Sequence, residues 1–339
     1  MRSEKHLTFA VFIVILLVLI SGCKDNNGDP GAPKTPFLGG TRGLEVKFSE
    51  GSPPDEVTDA SSFGFSAIVS LKNLGEYDLT RDKVKVSLVG FLPSDFGVSD
   101  ASIKNILPEG DPIPRKRDAD GTIIEPVETF VSFPSPSGEL NFNKPIPGNT
   151  PFIFRADVCY RYQTKAVSEI CVLGDMVRVA DDAICKPTGE KSVFSSGSPL
   201  QVTSFRESYA GKSGNMDKIQ FTFDIADSGN GNVFDATTDA DCPKTSTERM
   251  AKEDKVKVTV DTGLPSGGAL NCIGLTNTAT GDSSVSGSVK LINGKRTLTC
   301  TQIIPVNMKD FRKSVSINLD FNYLSKADKE VLVKHLLTG

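Results

Sequence analysis

Residues 82–94 read DKVKVSLVGFLPS, and residues 254–266 read DKVKVTVDTGLPS. In both stretches apolar and polar residues alternate, so every second side chain would point to the same face of a β-strand. The same period of two recurs in three further stretches, at 154–158, 219–225 and 317–323. After the N-terminal apolar run, no window of a dozen residues carries the helical period of 3.6. The sequence therefore predicts an all-β fold.

Two more pairs of similar segments occur in the same order in both halves. Residues 70–78 (SLKNLGEYD) and 224–232 (DIADSGNGN) each combine a strand with an Asn/Asp-x-Gly turn, in which glycine supplies positive φ. Residues 162–172 (YQTKAVSEICV) recur more weakly at 323–333 (YLSKADKEVLV). Chance would rarely place three matches in one order, so we expect two copies of one β-domain.

The repeats and the Gly/Pro/Ser-rich stretches set the predicted boundaries. Domain 1 would span 43–180, a linker 181–197, and domain 2 198–339. Many short antiparallel strands in each copy predict two tandem immunoglobulin-like β-sandwich domains. The largest difference between the copies is an insertion of about 18 residues around 235–254 in the second one.

The element FSAIVSLKNLGEYDLTRDKVKV places Asn73 and Gly75 between two strands. It resembles the start of CARDB-type and related immunoglobulin-like domains of archaeal and bacterial surface proteins. The resemblance covers about a tenth of the chain, and the second copy departs from it with Asp227-Ser228-Gly229. It implies a role in adhesion or in scaffolding of the cell envelope, which composition and spacing alone do not establish.

The N-terminus has the organisation of an export signal. Arg2 and Lys5 precede an almost entirely apolar run at 7–20, which is shorter than the roughly 20 residues that cross a bilayer. The run ends in Ile20-Ser21-Gly22-Cys23, which resembles a prokaryotic lipobox. The resemblance implies that residues 1–22 are removed and that the thiol of Cys23 receives a lipid.

Two alternatives stay open at this end of the chain, an uncleaved membrane helix and an ordinary signal peptide that leaves Cys23 a free thiol. Residues 23–42 are rich in Gly, Pro and Asn, which predicts a flexible tether. We therefore expect a lipid-anchored, extracytoplasmic protein of the cell envelope.

The other six cysteines are expected to form disulfides, because the chain is exported. Cys159 and Cys171 would face each other across a hairpin centred near Lys165. Both are absent from the corresponding positions of the second copy, which predicts that they pair with each other. The alternative is that all six are reduced, buried thiols.

The remaining four cysteines give two further predicted bridges. Cys272 and Cys300 bracket a strand pair joined by the Asn293-Gly294 turn, so we pair them. Cys185 in the linker and Cys242 in the insertion are then left to each other. Such a bridge would tie the junction of the two predicted domains.

Several classes of function are disfavoured by composition and motifs. After residue 22 the net charge is about −5, and nucleic acid requires a basic face. His335 is the one histidine left, too few for a zinc protease, and no G-x-S-x-G motif occurs. Gly211-Lys212-Ser213 ends like a phosphate-binding loop but lacks its first glycine. We expect no catalytic residues, cofactor or resident metal.

Two charged segments have simple interpretations. Residues 115–117 (RKR) and 118–120 (DAD) predict a self-neutralising, solvated loop. An acidic stretch lacks the spacing of an EF-hand and is expected to be solvated, with adventitious calcium binding as the alternative. Its carboxylates are Asp224, Asp227, Asp235, Asp239 and Asp241.

The favoured function is a non-catalytic surface module with an adhesion, interaction or envelope-scaffold role. Its partners would be the membrane, through the lipid, and a protein or polysaccharide at the cell surface. The alternative is a solute- or polysaccharide-binding lipoprotein. An envelope glycoside hydrolase is less favoured, because paired carboxylates have no sequence signature and aromatic residues are few.

Overall fold

A computed structural model describes residues 35–60, 63–237, 239–265, 267–306 and 308–336. Cys23, the predicted signal segment and most of the predicted tether lie outside these residues. The all-β prediction is confirmed, because nineteen strands carry the described fold. The strands are β1 (Leu44–Phe48), β2 (Glu56–Thr58), β3 (Ala67–Asn73), β4 (Val84–Val89), β5 (Lys116–Arg117), β6 (Ile123–Ile124), β7 (Glu128–Phe133), β8 (Thr150–Val172), β9 (Gly189–Glu190), β10 (Val193–Ser195), β11 (Leu200–Ser213), β12 (Met216–Asp227), β13 (Asn232–Asp235), β14 (Lys255–Asp261), β15 (Asn271–Ile273), β16 (Thr276–Thr280), β17 (Ser284–Lys290), β18 (Lys295–Pro305) and β19 (Phe311–Lys334).

Helical structure is limited to short connections between strands. The helices are α1 (Asp100–Ile103), α2 (Ser246–Lys252) and two single 3₁₀ turns at Arg81–Lys83 and Pro93–Phe96. Helix α2 begins with a capping box, in which the side chain of Thr245 accepts from the N–H of Glu248. In the described part of the chain, no helix is long and apolar enough to cross a membrane.

The strands form four sheets, and the three larger ones surround a shared core. One sheet has the order β1-β3-β7 and another the order β15-β18-β12-β11-β9. A nine-stranded sheet has the order β10-β8-β19-β14-β17-β16, with β4 on β8 and with β2 and β13 on β19. Strands β5 and β6 pair separately. Apolar side chains of all three larger sheets belong to one buried cluster.

Strands β8 and β19 join the two halves of the chain. They pair antiparallel over 23 residues, from Phe311 opposite Val172 to Val333 opposite Thr150. The hairpin predicted near Lys165 is therefore wrong. Between residues 152 and 172 no Gly, Pro or Asn interrupts the alternation, so nothing in this stretch favours a turn over one long strand.

The internal repeat corresponds to equivalent strand pairings in the two halves. Strand β4 pairs with β8 as β14 pairs with β19, and β1 pairs with β3 as β11 pairs with β12. The equivalent residue pairs are Val86 and Val158 with Val258 and Leu319, and Leu44 and Asn73 with Leu200 and Asp227. Residues 37–339 form one compact unit, and the domain boundaries predicted within it stay a prediction.

In the first half, one tyrosine closes the Asn-x-Gly turn. The hydroxyl of Tyr162 donates to Oδ1 of Asn73 over 2.8 Å, and the N–H of Gly75 donates to the same oxygen. A Cβ on Gly75 would lie 2.1 Å from the Tyr162 hydroxyl, so the tyrosine requires glycine there. Burial raises the pKa of Tyr162 well above its ordinary value, which keeps the hydroxyl protonated and able to donate.

The second half repeats this arrangement with Tyr323. Its hydroxyl accepts from the N–H of Gly231 over 2.8 Å, and the N–H of Gly229 donates to Asp227. A Cβ on Gly229 would lie 2.1 Å from the Tyr323 hydroxyl. Burial raises the pKa of Tyr323, as it does that of Asp227. The weak sequence match between the two tyrosine segments therefore reflects one shared packing requirement.

Candidate functional site

A cleft of about 560 Å³ lies on the outer face of the nine-stranded sheet, and we call it the outer cleft. Its floor is formed by β4, β8 and β19, on the face opposite the buried core residues of these strands. Because alternate residues share a face, the pairing places Ser87, Asp157 and Lys326 in one row. The adjacent row holds Lys85, Cys159 and Leu324.

One wall of the outer cleft comes from the insertion of the second half. Residues 240–244 and Arg249 of α2 line this side. The wall is attached to the floor by the Cys159–Cys242 disulfide and by a small apolar cluster that includes both cysteines, Ala240 and Leu324. Lys104 and Asn105 form the opposite side. The insertion therefore reaches back over the sheet of the first half.

An ion pair and two hydrogen bonds also hold the same wall in place. The ammonium group of Lys83 lies 3.0 Å from a carboxylate oxygen of Asp239. The side-chain amide of Asn322 donates to the hydroxyl of Thr237 over 2.7 Å and to the carbonyl of Asp241 over 3.1 Å. The wall is thus fixed covalently, by an ion pair and by hydrogen bonds to β19.

Cationic side chains predominate in the outer cleft. Six cations and two carboxylates line it, namely Lys85, Lys104, Arg155, Lys244, Arg249 and Lys326 with Asp157 and Asp241. Three of the cations have carboxylate partners, Arg155 with Asp157 at 3.0 Å, Lys104 with Asp100 at 2.7 Å and Arg249 with Glu253 at 2.6 Å. Asp241 lies 3.5 Å from Lys252.

Three lysines of the outer cleft remain without an ion pair. Among the described residues, no carboxylate lies within 4.0 Å of the ammonium groups of Lys85, Lys244 and Lys326. These three positive charges come from β4, the insertion and β19, and they surround the same space. The cleft therefore has an excess of positive charge in a chain whose net charge is −4.

Two other clefts lie at the junction of the halves and are related by the repeat. One of about 330 Å³ is lined by Tyr323 and the turn at 228–231, and one of about 430 Å³ by Glu76 and Lys165. The Glu76 carboxylate accepts backbone N–H groups of Leu38, Gly39 and Gly197. This carboxylate therefore holds together the backbone of two segments, at 38–39 and at 197, and its oxygens are not available to a ligand.

The structure contradicts two of the three predicted disulfides. Cys159 pairs with Cys242 and Cys171 with Cys185, so the predicted Cys159–Cys171 and Cys185–Cys242 bridges are wrong. Cys159 and Cys171 lie on the same strand, about 40 Å apart at roughly 3.3 Å per residue.

The third predicted bridge is confirmed, but the strand pair predicted across the Asn293-Gly294 turn is wrong, because the flanking strands β17 and β18 belong to different sheets. Cys272 pairs with Cys300, opposite each other on β15 and β18. All six cysteines beyond residue 23 are thus paired. Three disulfides indicate that the protein matures in an oxidising environment.

His335 follows the last residue of β19 and contacts a buried carboxylate. Its Nδ1 lies 2.7 Å from Oδ2 of Asp59. Asp59 also accepts the N–H groups of Ile146 and Leu336, at 3.0 and 2.7 Å. Neither His335 nor Asp59 lines any of the three clefts. The pair therefore holds the end of β19 to two loops.

These hydrogen bonds predict acid-dependent stability. The bond from His335, followed by those from Ile146 and Leu336, lowers the pKa of Asp59 from 3.8 to about 2. A lowered folded-state pKa contributes stability that is present above pH 3.8 and is lost as the pH falls towards 2. We expect the free energy of unfolding of Asp59→Asn, measured by urea denaturation, to decrease less between pH 4 and pH 2 than that of the wild type. Asp328→Asn, at an exposed site, is the control; equal slopes for wild type and Asp59→Asn would contradict the assignment.

The predicted acidic stretch does not gather into one site. Asp224 accepts from Thr297, and Asp239 and Asp241 lie beside lysines. No group of three or more His, Cys, Asp or Glu side chains suited to a metal occurs in the described ranges.

The charged loop also has partners other than those predicted. Arg115 pairs with Glu125 and Lys116 with Asp78, so the neutralising carboxylates are not those of 118–120. The partner carboxylates lie just after β6, at Glu125, and in the loop after β3, at Asp78.

Comparisons with known proteins give little guidance. No protein-family model and no curated protein matches the chain. One solved structure, of manganese lipoxygenase from Gaeumannomyces graminis with part of zonadhesin from Komagataella pastoris, is similar at 12% identity and a TM-score of 0.16. The alignment covers 86% of this chain and 96% of the other. A similarity of this size carries no argument about fold or function.

Proposed function

We propose that the chain is a lipid-anchored, non-catalytic module of the cell surface that holds a partner molecule. The observation that supports this most is the outer cleft, a polar recess whose wall is fixed by the Cys159–Cys242 disulfide. Such a preformed recess suits binding, because little ordering is needed when the partner arrives. The position of His335 away from the clefts agrees with a non-catalytic role.

The proposal includes the architecture expected from the repeat. Two CARDB-like, immunoglobulin-like sandwich units, fused through β8 and β19, would stand on a tether that begins at Cys23. Equivalent pairings in both halves support this arrangement. An adhesion or envelope-scaffold role follows, because a rigid body on a tether can present a surface to partners beyond the membrane.

A solute- or polysaccharide-binding lipoprotein is the second candidate. The volume of the outer cleft, about 560 Å³, favours it. Sites that hold small molecules usually measure roughly 300–1,000 Å³. The two candidates share the anchor and differ in whether the recess takes a small polar molecule or part of a large partner.

Replacement of the proposed lipidation site tests the anchor. Cys23→Ser should prevent attachment of a radiolabelled fatty acid and move the protein from the membrane fraction to the soluble fraction, because only the thiol forms the thioether. Ser21→Ala, which keeps a small residue in the lipobox-like motif, is the matched control and should stay lipidated. A Cys23→Ser protein that remains in the membrane with residues 1–22 intact would show an uncleaved helix instead.

A further inference from the structure

Two of the three lysines that have no ion pair in the outer cleft come from neighbouring strands of the nine-stranded sheet. Lys85 and Lys326 lie in adjacent rows of the same face, on the two strands that flank β8. In the other half, the repeat places Lys257 and Lys165 at the equivalent positions. These two lysines are exposed and do not line the outer cleft. The equivalent pair of lysines therefore lines one recess together only where the insertion adds Lys244.

The lysine groups favour an anion with more than one negative charge. An ammonium group is a compact point charge on a flexible stem, so several lysines adapt to a polyvalent anion without fixed geometry. A recess with low-dielectric walls focuses the field of such charges. Arg155 and Arg249, whose planar groups would demand a defined orientation, are already engaged by Asp157 and Glu253.

The remaining lining is polar and suits a ligand with hydroxyl groups. Ser87 and Asn105 border the floor, and the Ser87 hydroxyl accepts the N–H of Asn105 over 3.0 Å. The side-chain amide of Asn105 and the carboxylate of Asp157 can donate to and accept from hydroxyl groups. Apolar surface is confined to Val89, Pro243 and the cluster around Leu324. The recess is thus polar over most of its lining.

We infer that the outer cleft binds a small, hydroxyl-rich anion with two or more negative charges, such as an acidic sugar that carries phosphate or carboxylate groups. The inference rests on the proposed binding function and names the chemistry of its ligand. Lys85, Lys244 and Lys326 supply the opposing charge, and Ser87, Asn105 and Asp157 contact the hydroxyl groups. The Cys159–Cys242 disulfide holds the wall in the position that brings Lys244 to the site.

Calorimetric titration of the full chain in detergent tests the inference. The probes are fructose 1,6-bisphosphate for phosphate and digalacturonate for carboxylate, with sucrose as the neutral control. We expect at least one anion to bind, sucrose not to bind, and the affinity to fall several-fold between 20 and 200 mM NaCl, because salt screens exposed charges. The tighter anion identifies the charged group.

Charge reversal locates the site. The Lys85→Glu/Lys326→Glu variant should have at least tenfold lower affinity for the anion. The repeat-equivalent control, Lys257→Glu/Lys165→Glu, should change this affinity less than twofold. Unchanged far-UV circular dichroism and melting temperature would show that both variants fold. The inference is overturned if neither anion binds at millimolar concentration or if the control weakens binding equally. Because no step depends on the lipid, failure here is separate from failure of the Cys23→Ser test.

Discussion

A Cys159→Ser/Cys242→Ser protein is expected to lose about 4.5 kcal/mol of its free energy of unfolding. This bridge closes the longest loop of the three, with its cysteines 83 positions apart in sequence, and cross-links restrict the unfolded chain more as the loop grows. The two serine hydroxyls would also enter the small apolar cluster around Leu324. Urea denaturation of wild type and variant under non-reducing conditions measures the difference.

The bridge between Cys171 and Cys185 provides the control. Its cysteines are 14 positions apart in sequence, so its removal should lower the free energy of unfolding by only about 3 kcal/mol. The prediction fails if removal of this short-loop bridge destabilises the protein as much as removal of Cys159–Cys242. The Cys159→Ser/Cys242→Ser variant should also bind the anionic probes more weakly, since the covalent link between β8 and the wall with Lys244 is lost.

A fragment of residues 198–339 should not fold cooperatively as a monomer. From the repeat alone we would expect it to fold by itself, but β19 loses its pairing with β8 over 23 residues when the first half is absent. The rings of Phe321 and Tyr323, which lie 6.2 and 5.8 Å from those of Tyr162 and Tyr160, lose these neighbours. Such a long unpaired edge favours self-association.

Circular dichroism during urea unfolding and size-exclusion chromatography check this expectation. The fragment carries Cys242→Ser, because the partner of Cys242 is absent. Addition of a second fragment, residues 37–197 with Cys159→Ser, should restore a cooperative transition in a 1:1 complex. A sharp unfolding transition in a monomeric 198–339 fragment would show that the halves are independent, as the repeat by itself suggests.

The amino-acid sequence by itself determined the local character of the chain. The period of two specified strands, because alternation decides which side chains can be buried on one face of a sheet. The matched segments at 82–94 and 254–266 specified equivalent pairings in the two halves. The sequence correctly paired Cys272 with Cys300, but not through the hairpin predicted at Asn293-Gly294, because the strands that flank this turn, β17 and β18, lie in different sheets.

Only the tertiary structure decided which distant elements meet. Alternation shows which face of β8 is buried, but it carries no information on which strand pairs with its free edge, so β19 could not be predicted. The partner of Cys159 depended on that arrangement, because β13, next to the insertion, pairs with β19, and β19 lies beside β8, which carries Cys159. Lys85 and its repeat equivalent Lys257 look alike in sequence; the folded insertion alone places one of them in a recess.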